Sequence, residues 1–113
     1  MKEHAWPDSI DLAITVCDRE GIILYMNEKA AATFAADGGG SLVGRDLMAC
    51  HPEAAQRKIG RIMESRQANT YTIEKHGLKK LIHQAPWYRD GELGGLVELS
   101  IVLPAEMPHH KRS

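Results

Sequence analysis

Two long apolar-rich runs, Leu78–Tyr88 and Gly94–Leu103, flank Arg89-Asp90-Gly91-Glu92, and no other feature constrains the chain as strongly. Asp-Gly between such runs is a strong hairpin signal, because both central residues of a tight primed turn need positive φ. Each run is long enough for a strand at the upper end of the usual range. In a chain of 113 residues such a hairpin makes an obvious sheet centre. Alternation places Leu81, His83, Ala85 and Trp87 on one face of the first run, with Ile82, Gln84 and Tyr88 opposite. In the second run Gly95, Val97, Leu99, Ile101 and Leu103 share a face, and Leu96, Glu98, Ser100 and Val102 the other. The second set is the more polar, so its face is expected to be wetter or to meet a partner. Parity alone leaves open which face is inward.

The rest of the chain supplies the neighbours. Asp8–Asp11 offers cap-type residues for a short helical turn, followed by a strand at Ala13–Cys17 with Ile14 and Val16 on one face. Asp18-Arg19-Glu20-Gly21 turns into a second strand, Ile22–Met26, that should pair with the first. Glu28–Ala36 is alanine-rich helix-forming sequence, ended by the glycine triplet 38–40, read as a flexible loop. Pro52 suits the first position of a further helix, in which Ala55, Ile59, Ile62, Met63 and Arg66 follow one face. Arg57, Lys58, Arg61 and Glu64 fall on the other side, read as solvated. Asn69–Glu74 alternates as a strand, with Tyr71 and Ile73 sharing a face, and His76-Gly77 turns it into the hairpin. Pro86 removes a ladder bond, which is tolerable where the neighbouring strand has already run out. Two strands, a helical crossover and three strands predict an α+β domain with a five-stranded antiparallel sheet.

Size and charge narrow the function. The length fits one domain spanning 1–113, with a core from about 10 to 103 and a polar tail. Net charge is −1, which gives no pull toward nucleic acid or membrane, and the basic helix side lacks interleaved aromatics. No apolar run reaches membrane-span length, and the start carries no signal core, so a cytoplasmic protein is expected. Cys17 and Cys50 are no disulfide framework. No serine has a nucleophile-elbow context, no glycine run carries Lys-Ser/Thr, and no paired carboxylates occur, so no enzyme is expected. Cys50 and His51 are adjacent, which rarely chelates one ion, so a structural zinc is not expected.

The order and spacing of several motifs resemble the PAS sensory domain from about Ile10 to Leu103. They are the opening hairpin with Asp18-x-x-Gly21 and Asn27, then Leu42-Val43-Gly44-Arg45, then Trp87–Gly95. Cys50-His51-Pro52, Gln84-Ala85-Pro86-Trp87 and Gly95–Leu99 more narrowly resemble a PAS subgroup found with DUF438 regions. The resemblance implies sheet order 2-1-5-4-3, helices covering one face, and a cavity between them for haem, flavin or a metabolite. It implies a sensory module that binds a small molecule and signals through a homodimer or a signalling-protein partner, in some relatives to regulate transcription. The alternative is a dimerising interaction module with no ligand. Tyr25, His51, Ile59, Met63, Tyr71, His83 and Leu99 are the residues placed near that cavity. His51 is the candidate haem ligand, although it stands at the start of its helix, whereas haem-binding relatives carry theirs well inside. That position favours a structural or polar-ligand role. His83 is weighed between a cavity ligand group and a satisfied core or dimer-face histidine. Nothing matches the Asn-Cys-Arg-Phe-Leu-Gln type of motif of flavin photosensors, so flavin is not expected.

Overall fold

A computed structural model gives the fold and describes residues 5–46 and 53–113. In chain order these are α1 (Ala5–Ser9), β1 (Ala13–Asp18), β2 (Ile23–Met26), α2 (Glu28–Thr33), 3-10 turns at Ala35–Asp37 and Gly39–Leu42, α3 (Glu53–Ser65), β3 (Asn69–Lys75), β4 (Leu78–Arg89) and β5 (Glu92–Val102). The strands form one antiparallel sheet ordered β2-β1-β5-β4-β3. The expected α+β architecture and strand order are both present. Cys50, His51 and Pro52, with the readings placed on them, lie outside the described residues.

The β4–β5 hairpin turns at Asp90 (φ 52) and Gly91 (φ 81), the positive-φ pair that Asp-Gly accommodates. Pro86 faces Leu96 on β5, while β3 begins at Asn69 opposite Gln84, so the missing amide falls beyond the end of β3. Next to it, the Trp87 indole reaches across β5 and donates to the Cys17 carbonyl at 2.9 Å. That crossing explains the adjacent glycines. A Cβ on Gly94 would collide with the Trp87 ring, and one on Gly95 with the Cys17 carbonyl.

Paired residues in antiparallel strands share a face, so the register can be read as rows across the sheet. One row is Cys17, Leu96 and Pro86; the next is Thr15, Glu98, Gln84 and Asn69; a third is Ala13, Ser100, Ile82 and Tyr71. Ile59 and Ile62 of α3 pack with Cys17 and Leu96 to form the core cluster, and Met63 packs against it. The face carrying Glu98 and Ser100 is therefore inward. The face carrying Ile14, Val16, Val97, Leu99 and Ile101 is outward. This reverses the expectation that the polar set of β5 would be the wetter one. The apolar end of the inner face meets α3, and the polar rows stand where the helical cover leaves space.

Asn27 joins the first hairpin to the helices. Its Oδ1 accepts from the Ile14 and Ala30 amides, both at 3.0 Å. Its Nδ2 donates to the Pro7 and Leu12 carbonyls at 3.0 and 2.7 Å. The bond from the Ala30 amide caps α2, which ends at Thr33 and not at Ala36. The glycine triplet is ordered into a turn: buried Gly39 donates to the Phe34 carbonyl, and a Cβ there would stand 3.2 Å from the Ala31 carbonyl. Beyond it, Gly44 donates to the Ile23 carbonyl (2.7 Å) and Ile23 to the Arg45 carbonyl (2.8 Å). The Leu42-Val43-Gly44-Arg45 segment thus covers the β2 edge of the sheet. Among the described residues no helix is long and apolar enough to cross a membrane.

Candidate functional site

Between the inner sheet face and helices α2 and α3 lies a cavity of about 530 Å³. Its floor is the two polar rows, with Thr15, Gln84, Glu98 and Ser100 beside Ala13, Ile82 and Tyr71. The end of α2 contributes Thr33 and the adjacent Phe34; α3 contributes Ala54, Lys58 and Arg61; β3 and β4 add Ile73, Lys75 and Lys80. Gln84 is 5 % exposed and Thr15 is 8 % exposed, so these polar side chains belong to the interior. Burial demands partners for such groups. Asn69 Nδ2 donates to Gln84 Oε1 at 3.1 Å, and Gln84 Nε2 donates to Glu98 Oε2 at 2.9 Å. An ionised carboxylate only accepts, so Glu98 fixes the Gln84 amide orientation, and Gln84 fixes that of Asn69.

The Lys58 ammonium stands 5.4 Å from the centroid of the Tyr71 ring. Burial, and secondarily the Glu98 carboxylate, push the Tyr71 phenol above its ordinary pKa, so it enters the site as a neutral donor. Among the described residues charge in the cavity is lopsided: Lys58, Arg61, Lys75 and Lys80 line it, against Glu98 alone among acidic residues. Arg61 and Lys58 come from the helix side that reads as solvated in the sequence. Both are exposed, as that reading expects, and stand at the rim of the cavity.

The sequence-derived candidates separate. Tyr71 lines the cavity. Ile59 is in the core with Met63 packed against it, and both border a shallower groove of about 360 Å³ with Arg19, Glu20 and Leu93. Tyr25 pairs with Val16 of the outer face, and its hydroxyl donates to Asp8 Oδ1 at 2.6 Å. Its partial burial, reinforced by that bond and by the Asp8 charge, pushes its pKa up to about 12. His83 stands opposite Leu99 on the outer face, its Nδ1 2.8 Å from Thr70 Oγ1. The placement of His83 and Leu99 in the cavity is thus corrected by the register. His51 lies outside the described residues. Thr15, Gln84, Glu98 and Ser100 were missed. The signal that could have found them is the hairpin register, which sets polar Gln84 directly opposite polar Glu98.

The described lining fits haem poorly. It offers no imidazole, thiolate or thioether. Among the described residues no group of three or more His, Cys, Asp or Glu could hold a metal ion. Cys17, buried beneath α3, has its thiol pushed up chiefly by that burial, which disfavours the reactive thiolate.

No family model matches the chain, and no curated protein does. Solved structures do. A sensory box sensor histidine kinase from Vibrio cholerae superposes with a TM-score of 0.65 at 15% identity, covering 86% of this chain and 86% of that one. The Aer2 receptor of Vibrio cholerae, described as a dual PAS-heme oxygen sensor, gives 0.61 at 22% identity over 82% of this chain and 95% of that one. The chain has a PAS fold. VqmA bound to DPO gives 0.71 at 12% identity over 88% of this chain, which spans about 56% of VqmA. VqmA of Vibrio cholerae is also known in a complex with ligand and DNA. At these identities the shared property is the PAS fold itself. Its cavity lies on the helix-covered side of the sheet here.

Proposed function

We propose that this PAS-fold chain is a sensory module that binds a small molecule between the sheet and helices α2 and α3. One observation carries the reading: a hydrogen-bonded polar ladder, Asn69–Gln84–Glu98, with Gln84 buried at its centre, runs along the floor of a cavity of about 530 Å³. A purely structural core has no use for an oriented carboxylate at the floor of open space, since burying polar groups stabilises less than packing apolar ones. Cavities of this size with a few convergent polar groups are the usual form of small-molecule sites. VqmA with DPO and the haem-bearing Aer2 receptor are fold neighbours with ligands of their own, which supports the reading without identifying a ligand.

The output is a partner contact. A ligand stabilises one arrangement of α2, α3 and the adjoining turns, and a second protein surface reads that arrangement. The outer sheet face, with Ile14, Val16, Val97, Leu99 and Ile101 together, favours a homodimer or a signalling-protein partner over direct nucleic-acid contact. The motifs at Gln84–Trp87 and Gly95–Leu99 extend the proposal to the PAS subgroup found beside DUF438 regions. No enzymatic step and no resident cofactor is assigned.

The test is occupancy. Protein purified under native conditions is denatured, and its extract is analysed by mass spectrometry beside an absorption scan from about 300 to 700 nm. A stoichiometric small molecule, released in lower yield from Gln84→Leu than from the parent, supports the module. An interaction module without ligand is the second reading, and it gains if extracts are empty and no metabolite pool shifts the melting temperature.

A further inference from the structure

We propose that the cavity takes a small zwitterion, with a protonated amine against Glu98 and an acidic group against the Lys58–Arg61 side of the mouth. The inference rests on the sensory reading above and supplies the ligand class. Three observations carry it.

First, Glu98 lies half-buried in the inner row, with Gln84 donating to Oε2, and no cation among the described residues pairs with it. One amide leaves most of the acceptor capacity of that carboxylate open toward the cavity. An ammonium group fills it through charge-assisted bonds of the strong class. Thr15 stands beside Glu98 on β1, and Ser100 lies one row away, so hydroxyl acceptors are close to the same point.

Second, the opposite charge is concentrated elsewhere in the same cavity. Lys58 and Arg61 project from one side of α3, and Lys75 and Lys80 close the β3–β4 end. Among the described residues none of the four is in an ion pair; Lys58 instead lies over Tyr71. A concave site lined by one sign of charge focuses its field on an incoming group of the other sign. Arginine adds a planar fork that matches a carboxylate.

Third, the two charges are separated by groups that suit a short aliphatic link. Ile82 and the Tyr71 ring lie on the floor, and Phe34 and Ala54 on the helical side. Neutral Tyr71 is a donor that an acidic group could accept from. Among the described residues, four cations against one carboxylate also set a preference: a ligand with two acidic groups and one amine satisfies more of the lining than a neutral amino acid.

The probes are L-glutamate and L-aspartate, their amine-free counterparts glutarate and succinate, and the remaining common amino acids, titrated calorimetrically at pH 7. An amino diacid is expected to bind about tenfold or more tighter than its amine-free counterpart. Glu98→Gln is expected to erase that difference while keeping the amine-free binding. Lys58→Ala with Arg61→Ala is expected to weaken both, as is added salt. Glutarate or succinate binding as tightly as the amino diacid overturns the amine contact, as does a preference that survives Glu98→Gln. Binding of no amino acid overturns the ligand class. In that case the mass-spectrometric extract separates the outcomes: another bound molecule leaves the sensory reading standing, and an empty, unresponsive cavity removes both. Amide spectra of each variant, matched to the parent outside the cavity, show that the fold is retained.

Discussion

Asn27 uses the whole bonding capacity of its side chain, two bonds accepted and two donated, at 1 % exposure. Asn27→Ala strands the Leu12 carbonyl and the Ile14 amide and removes the cap of α2. Such losses sum to about 3 kcal/mol, so the urea midpoint should fall markedly with little change in slope. An unchanged midpoint would show that the hub is ornamental. Tyr25 makes a pH prediction. Its pKa is raised from 10.0 to about 12 in the fold, so its contribution is complete below pH 10 and is lost as pH rises toward 12. Between those values stability should fall more steeply in the parent than in Tyr25→Phe, measured by denaturation at matched pH. Parallel curves would remove the Tyr25–Asp8 bond from the account. Asn27 was legible as a motif position, but Tyr25, expected near the cavity, stands on the outer face opposite Val16: a bulge in the β1–β2 pairing between Val16 and Cys17 resets the register, and no local pattern reports a bulge.

At the scale of elements, the β4–β5 hairpin was readable down to its turn, because Asp-Gly, alternation and run length all reflect backbone conformation. Its inward face was not. Hydrophobicity pointed to the Val97–Leu99–Ile101 set, whereas packing against Ile59 and Ile62 selects the Leu96 set and leaves Glu98 over a cavity. Both faces of β5 carry apolar residues, so burial order depends on what α3 covers, and that is a tertiary fact. The crossing of Trp87 over Gly94-Gly95 is likewise a three-strand feature. Gly95→Ala forces a Cβ into the β1 backbone and should cost about 3 kcal/mol or more, against about 1 kcal/mol for Trp87→Phe, which removes one hydrogen bond. Thermal denaturation of the two variants checks the ranking. A Gly95→Ala protein as stable as the parent would mean that β1 and β5 are less closely apposed than described.

For the whole molecule, the sheet is a wall with two unlike faces. Its inner face holds the cavity and its outer face is apolar across β1, β5 and β4. If the outer face is the partner surface, light scattering at tens of micromolar should give a dimer mass, and Leu99→Glu should return a monomer with an unchanged amide spectrum. A monomeric parent would shift the surface to a different partner protein. Helices α2 and α3 pack against the sheet through β1, β4 and β5, so ligand binding should alter the outer face indirectly and weakly.

The central claim is that small molecules bind on the helix-covered face. Its most direct measurement is an amide and side-chain NMR titration with the compound recovered from the native protein, or with the amino diacid probes if none is recovered. The account predicts saturable shifts largest at Tyr71, Ile82, Gln84, Glu98 and Ser100, small at Val97, Leu99 and Ile101, and lost in Gln84→Leu. Shifts centred on the Val97–Leu99–Ile101 face, or none with any compound, would contradict it.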